Sequence, residues 1–498
     1  MKKRNVILHT AIASALLALG FSAQASGTLT ATAINFATQN FGATAPATLG
    51  ITPGPITYTF NTPGGIVVNP TVSIIMYFRL GNGATFAAAP GTGAFTGSIT
   101  TLTPIPLTPT ATAISTDKTT IAVTFTNSGL ANATIGVGAS VIFTPAAASV
   151  VGVNTTLATV GGVVSASASV SALAAAVNSV ALPADLDGPA ATAASIATAA
   201  SAITGAVTAG GPTAETQKID VTATPSQAAL TVGANGQGIT KVNFGSFKFT
   251  NVAGVKNTGG TVDYTIAANL TATGTGAVAT GSFSSAGAMT LTTDAACATA
   301  LGAGSLAVLT GGTTATWTAA TTAASGVATY VCMTANGTTA IPVTTPTLIV
   351  KTTPTTGTDA VTGVSGTLYA LGLNGASIDV RSYVPAAAIG YSSFVRIVNT
   401  GSTPAPISVA VIDQATGVAG SSAVLGTLAA GAAKTYLASD IEGATGVIAA
   451  GLRPRLRITA PTAALQVQSF MSSPSGVFSD MSGGQLSNPA PATAITGN

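Results

Sequence analysis

Ile56, Tyr58 and Phe60 alternate with Thr57 and Thr59, and in the next run Val72, Ile74, Met76, Phe78 and Leu80 take every second position. An apolar period of two belongs to a strand with one face in a core; a helix needs a period of 3.6. The pattern recurs along the chain. Val123 and Phe125 lie in a run that ends near Asn127-Ser128-Gly129, and Val242, Phe244, Phe247 and Phe249 form the densest aromatic cluster. Val262, Tyr264, Ile266, Ala268 and Leu270 alternate with Asp263 and Thr265. Further on, Ile407, Val409 and Val411 alternate with Ser408 and Ala410, Leu456 and Ile458 with Arg455, Arg457 and Thr459, and Leu465 and Val467 with Gln466 and Gln468. Asn82-Gly83 supplies a turn and Asn336-Gly337 a hairpin signal. Asn374-Gly375 predicts a hairpin between a strand ending at Leu373 and a return strand. That return strand has Ile378, Val380, Ser382 and Val384 on one face and Asp379, Arg381 and Tyr383 on the other. Short alternating strands with regular turns predict an all-β chain of tandem β-sandwich (Ig-like) domains.

Met1-Lys2-Lys3-Arg4 is a basic n-region, residues 12–19 are its apolar centre, and Ala23-Gln24-Ala25 is a small-x-small cleavage site. Residues 1–25 therefore read as a cleaved export signal with the mature start near Ser26. The apolar stretch is too short for a membrane anchor, and no later one is long enough to span. Aromatics are too sparse for the girdles of an outer-membrane barrel. Three domains are expected: residues 26–210, a β-sandwich with an Ala/Thr-rich end; 211–366, a β-domain with both Cys; and 367–498, a second sandwich. Residues 183–215 leave helix, strand and linker open, since Ala favours helix and the Thr and Ser density opposes it.

Composition narrows the chemistry. The single His, His9, lies in the leader with Lys2, Lys3 and Arg4; without those three, 13 of the 16 basic residues remain, against 13 acids. A mature chain without His builds neither a Ser-His-Asp nor a Cys-His site, nor a His-ligated zinc site. Nucleic acid is excluded as a partner by the neutral charge balance and the lack of a basic stripe. The two Cys, Cys297 and Cys332, pair in an oxidising compartment. Asp185 and Asp187 are candidate oxygen ligands for calcium, the competing reading being a solvated turn. Asp440 and Glu442 lie close enough in sequence for a catalytic carboxylate pair, although a short helix starting after Ser439 accounts for them as acids at an N-terminus. Trp317 reads as a core anchor. Arg453, Arg455 and Arg457, two apart, fall on one strand face, either to contact an anionic polysaccharide or neighbouring subunit or to discourage edge pairing.

One stretch carries a resemblance. Tyr-Ser-Ser-Phe-Val-Arg-Ile-Val-Asn-Thr-Gly at 391–401 is followed by Ala-Val-Ile-Asp-Gln at 410–414, Leu-Gly-Thr-Leu-Ala-Ala-Gly at 425–431 and Lys434. Arg-Leu-Arg-Ile-Thr at 455–459 and Leu-Gln-Val-Gln-Ser-Phe at 465–470 complete the series. The order resembles a β-sandwich module of exported surface proteins, and with its leader and Thr/Ala/Gly/Val bias the whole chain resembles S-layer-type proteins of Gram-negative bacteria. The resemblance implies no catalytic residues. It implies self-assembly into a lattice on the cell surface, often helped by calcium and lipopolysaccharide. Rival expectations are an adhesin or glycan-binding surface protein and a secreted carbohydrate-active enzyme.

Overall fold

The computed structural model describes residues 27–70, 73–96, 107–127, 129, 131–171, 186–187, 191–273, 277–317, 325–462 and 464–481. The leader read at residues 1–25, and Asp185, lie outside the described residues. The chain divides into two compact units. The first comprises Met1–Thr204, Asn251–Leu270 and Pro354–Val361; the second comprises Gly205–Thr250, Thr271–Thr353 and Thr362–Asn498. Strands dominate both, in keeping with the predicted all-β class.

In the first unit a six-stranded sheet runs in the order Ile34–Ala37, Ala191–Ala200, Val163–Ser171, Ser73–Leu80, Thr120–Asn127, Leu107–Ile114. A four-stranded sheet of Thr28–Ala31, Ile56–Thr59, Ser140–Phe143 and Phe95–Thr96 contributes to the same core. Alternation does what period two requires: Ile74, Met76, Phe78 and Leu80 from one sheet and Ile56, Tyr58, Val141 and Phe143 from the other are all buried. Phe78, Phe95 and Phe143 close the space between them, with ring centroids 4.8 to 5.9 Å apart.

In the second unit the strand Lys241–Asn251 lies beside Thr329–Ala335, which carries Cys332, with Ala286–Thr292 on its other side. Val242, Phe244, Phe247 and Phe249 are all at most 1% exposed, although the spacing between Phe244 and Phe247 breaks period two. The register shifts at this point, between Asn243 and Gly245, so a bulge absorbs the extra residue. Gly245 sits there at φ +144, a conformation that side chains resist, and a Cβ would lie 2.3 Å from the Thr208 carbonyl oxygen. Trp317, on the strand Thr314–Trp317, is fully buried, and its Nε1–H has no hydrogen-bond partner.

The loop before this sheet is held by Glu215. Its carboxylate accepts from the N–H groups of Thr216 (2.9 Å) and Gln217 (3.0 Å) and from the amides of Asn235 (3.1 Å) and Gln237. Burial opposes the charged form, but these donors outweigh it and hold the carboxyl below its ordinary value of 4.5. A depressed folded-state pKa stabilises fully above the unfolded value and is lost as pH falls through the folded one. Glu215→Gln is therefore expected to flatten the dependence of the urea midpoint on pH below 4.5; equal slopes in both proteins would refute this.

One open reading closes and three expectations change. Residues 191–209 form strands, Ala191–Ala200 and Ile203–Ala209, with Ile196, Ala197 and Ala199 buried in the first core. Residues 262–270 are not a continuous strand: Val262 is 62% exposed, and Ile266–Asn269 forms one helical turn. Local bonds explain this, since Thr265 Oγ1 accepts from the Ala268 N–H, Asn269 Oδ1 from Thr265 and Asn251 Oδ1 from Ile266. Asn336 makes a turn but no hairpin; its Oδ1 accepts from the Thr338 and Thr339 N–H groups, and the next strand, Thr347–Pro354, pairs elsewhere. Asn374 likewise joins no hairpin. Its Oδ1 accepts from the Val221 N–H at 2.9 Å, and Ala376–Val380 pairs with Arg455–Ala460.

Candidate surface-contact site

The C-terminal part of the second unit is a sandwich of two four-stranded sheets. One runs Ala376–Val380, Arg455–Ala460, Ala405–Ile412, Ala423–Leu428; the other runs Ala433–Leu437, Ser392–Asn399, Leu465–Ser472, Phe478–Asp480. Ile378, Leu456, Ile458, Ile407 and Val409 from the first meet Val395, Ile397, Leu465 and Val467 from the second in one core. The side chains between these alternate positions clothe two outer faces of different chemistry.

The first outer face carries the arginines. Asp379 stands opposite Arg457 in register. Its carboxylate accepts from Arg457 Nε (2.9 Å) and Arg455 Nη2 (2.6 Å), so two guanidiniums share one counter-charge. Arg453 precedes the strand and donates to the carbonyls of Ala450 (3.0 Å) and Leu452 (2.8 Å). Arg455–Ala460 is an interior strand, paired on both sides, so its arginines guard no sheet edge. Arg381, exposed just beyond Ala376–Val380, adds a fourth guanidinium at that end.

The second outer face is apolar in the middle. Leu437, Phe394, Phe470 and Asp480 form one cross-strand row. Ser392, Ser472 and Phe478 form the next, and the Phe394 and Phe478 rings lie 6.1 Å apart. Phe478 is 69% and Leu437 47% exposed. Thr435, Arg396 and Gln468 border the row on its other side. The sequence pattern of inward alternation was legible; what escaped it was that the outward positions 394, 470 and 478 are also aromatic and meet across strands.

Loops at one end of this sandwich converge on the helix Ala438–Thr445. Asp440 accepts from the Leu437 N–H at 2.9 Å, as an acid in the first turn does. Glu442 points inward, 7% exposed, and accepts from Tyr383 Oη (3.1 Å), the Ala386 N–H (2.6 Å) and the Ile448 N–H (3.3 Å). Burial, then the Glu442 charge, pushes the Tyr383 phenol up. The pair Asp440 and Glu442 is thus split: one caps, the other ties three segments together.

In the first unit, Asp187 is fully buried, not in a solvated turn. Its carboxylate accepts from Tyr58 Oη (3.2 Å), the Asn61 N–H (2.9 Å) and the Thr62 hydroxyl, and its carbonyl from the Gly27 N–H (3.1 Å). Those contacts are all hydrogen-bond donors. Cys297 and Cys332 are joined in a disulfide. Among the described residues no three His, Cys, Asp or Glu side chains gather as a metal site, and no helix is long and apolar enough to cross a membrane.

No protein-family model and no curated protein matches the chain. Among solved structures, it is similar to a 1.5-MDa bacterial ice-binding adhesin at 10% identity, covering 91% of this chain and 94% of that one, with a TM-score of 0.20. It is also similar to the major pilin subunit of Bacillus cereus at 9% identity, covering 75% of this chain and 88% of that one, with a TM-score of 0.21. A Ca²⁺-stabilized adhesin of an Antarctic bacterium matches at 10% identity over 92% of this chain and 72% of that one, with a TM-score of 0.16. TM-scores of this size do not define a common fold; each chain is one to which this all-β protein is distantly similar.

Proposed function

We propose that the chain is an exported, non-catalytic structural protein that assembles with copies of itself into a layer on the cell surface. The observation that supports this best is the outer face of the Phe394 sheet. Leu437, Phe394, Phe470 and Phe478 expose apolar surface on a four-stranded sheet, framed by Thr435, Gln468, Arg396 and Asp480. Contiguous apolar surface of this kind marks an interaction site. A second copy suits it because the mature chain carries 13 basic and 13 acidic residues once the leader is removed, and a chain near zero net charge does not repel itself. The S-layer-type resemblance points the same way.

The test is sedimentation velocity of the purified mature protein over a concentration series, with and without calcium, together with electron microscopy of cells with and without the gene. Self-association and a surface lattice are expected. Phe394→Ser with Phe478→Ser should raise the concentration at which half the protein is assembled by about tenfold or more, from the apolar area lost at each site. A protein that stays monomeric in both conditions, on cells without a lattice, would overturn the reading.

A further inference from the structure

The first unit takes in two segments from far along the chain, Asn251–Leu270 and Pro354–Val361. Its core does not draw on them: among the described residues, that core runs wholly from Leu29 to Ala199. The late segments hold a shape of their own. Lys256 and Asp263 are bridge partners and an ion pair at 2.6 Å, and the Asn257 and Tyr264 N–H groups donate to the Val262 and Val255 carbonyls. Tyr264 Oη donates to Asp359 at 2.9 Å and the Thr355 N–H to the Asn269 carbonyl at 2.8 Å, so the second segment is tied to the first. Together they are a strap laid on a finished lobe, residues 27–200. The seam between strap and lobe is main chain against main chain. Ile34–Ala37 is the edge strand of the six-stranded sheet, and an open edge is a template for pairing. Lys256 covers it as a parallel bridge partner of Phe36: its N–H donates to the Asn35 carbonyl at 2.7 Å, and its carbonyl accepts from the Ala37 N–H at 2.9 Å. Further along, Thr52 donates to the Thr258 carbonyl and Ala360 to that of Gln39. A Cβ on Gly42 would lie 2.3 Å from the Thr358 carbonyl oxygen, so the backbones meet there as well. The covalent link from the lobe to the rest of the chain is short: only Ser201 and Ala202 separate Ala191–Ala200 from Ile203–Ala209, which runs on into the second unit.

We infer that the strap is an exchangeable contact: in the assembly, the lobe of one copy seats on the strap of a second copy. The partner is fixed by the seam itself, since every bond named above is the same whether lobe and strap belong to one chain or to two. Parting them takes nothing from the lobe's core and leaves the strap's own pairing intact. A short hinge invites such an exchange and a longer one opposes it, because straightening two residues between strands carries the lobe away as a body. Contact within one copy competes at an effective concentration of about a millimolar, so exchange gains as copies crowd on a surface. Passed from copy to copy, the contact propagates into a chain; returned, it closes a dimer. The inference rests on the self-assembly proposed above, but not on the Phe394 face.

Thr44 on the lobe and Gly357 on the strap mark the seam; both are exposed, and Thr44 Oγ1 lies 3.5 Å from the Gly357 carbonyl oxygen. The mature protein carrying Thr44→Cys with Gly357→Cys is separated into monomeric and assembled fractions, each is treated with a short bismaleimide, and the products are read on a denaturing gel. Cys297 and Cys332 are joined to each other and take up no reagent. The monomeric fraction is expected to give single chains closed on themselves, and the assembled fraction a ladder of linked chains. Inserting Gly-Ser-Gly-Ser between Ser201 and Ala202 lets the lobe fold back on its own strap and should return the assembled product to single closed chains. An unchanged melting temperature checks that each variant folds. The inference is overturned if the assembled fraction yields the same closed single chains as the monomer, or if the insertion leaves the ladder as it was. It is also overturned if Thr44→Cys alone or Gly357→Cys alone gives an equal ladder, since the links then come from copies that merely abut. Each of these outcomes leaves self-assembly standing, whereas a protein with no assembled fraction sinks both readings. A ladder that persists when Phe394→Ser and Phe478→Ser are added supports the exchange and removes the Phe394 face as the contact.

Discussion

Asp187→Ala is expected to lower the unfolding free energy by about 2 to 4 kcal/mol, because it takes a buried acceptor away from several hydrogen-bond donors. The carboxylate has no solvent exposure, and Tyr58, whose hydroxyl it accepts, has none either. Alanine leaves that hydroxyl and the Asn61 N–H without their acceptor, and a stranded buried donor costs about 1 to 3 kcal/mol. The cost falls on the first unit, to which Asp187, Tyr58 and Asn61 all belong; the Asp187 carbonyl that accepts from the Gly27 N–H is main chain and survives the substitution. Asp187→Asn keeps the shape but turns an N–H toward groups that are themselves donors, so it should recover less than half of the loss. Urea unfolding followed by far-ultraviolet circular dichroism measures both, and a loss below about 1 kcal/mol for alanine, the worth of one ordinary hydrogen bond, would contradict the account.

The second large effect is expected on breaking the disulfide. Cys297 and Cys332 are 35 residues apart, and closing a loop of that length stabilises by about 3 to 4 kcal/mol in the chain-entropy description. The bridge joins a loop to an interior strand: Cys332 lies between Lys241–Asn251 and Ala286–Thr292, while the Cys297 loop is gathered by Asp294, which accepts from the Ala298 and Thr299 N–H groups. Cys297→Ala with Cys332→Ala should lower stability by that amount, and dithiothreitol should do the same to the parent and nothing to the variant. A reductant effect that persists in the double variant would show that its target is not this bond.

Strand positions were legible wherever apolar residues alternate, as at Ile74 to Leu80 and at Leu456 and Ile458. Even the broken spacing at Phe244 and Phe247 was a readable sign, since a bulge is the way a strand keeps Val242, Phe244, Phe247 and Phe249 all buried. What alternation does not carry is the partner. Asn336-Gly337 and Asn374-Gly375 turn the chain, but each neighbouring strand finds a longer-range mate, and Ala376 pairs with Ala460. Residues 262–270 alternate and still do not form one strand, because Thr265, Asn269 and Asn251 offer nearer hydrogen bonds. Ala191–Ala200 shows the reverse: its composition is neutral, and burial between two neighbours makes it a strand. The candidate contacts follow the same division. The two Cys could be paired by counting, and the short helix at Asp440 by its acid. The burial of Asp187 could not be read locally, since Asn61 lies 126 residues away. Nor could the pairing of Arg455 and Arg457 with one carboxylate, which is 76 and 78 residues distant.

Trp317 is the only tryptophan in the chain, and it is wholly enclosed in one sheet of the second unit. With its indole fully buried, the native protein should emit at short wavelength, and the shift to the red should report the opening of that sheet alone. Circular dichroism sums over both units. Comparing the two signals through a thermal melt therefore resolves which unit yields first without cutting the chain, and the noncoincidence itself becomes the measure of how independently the two parts fold.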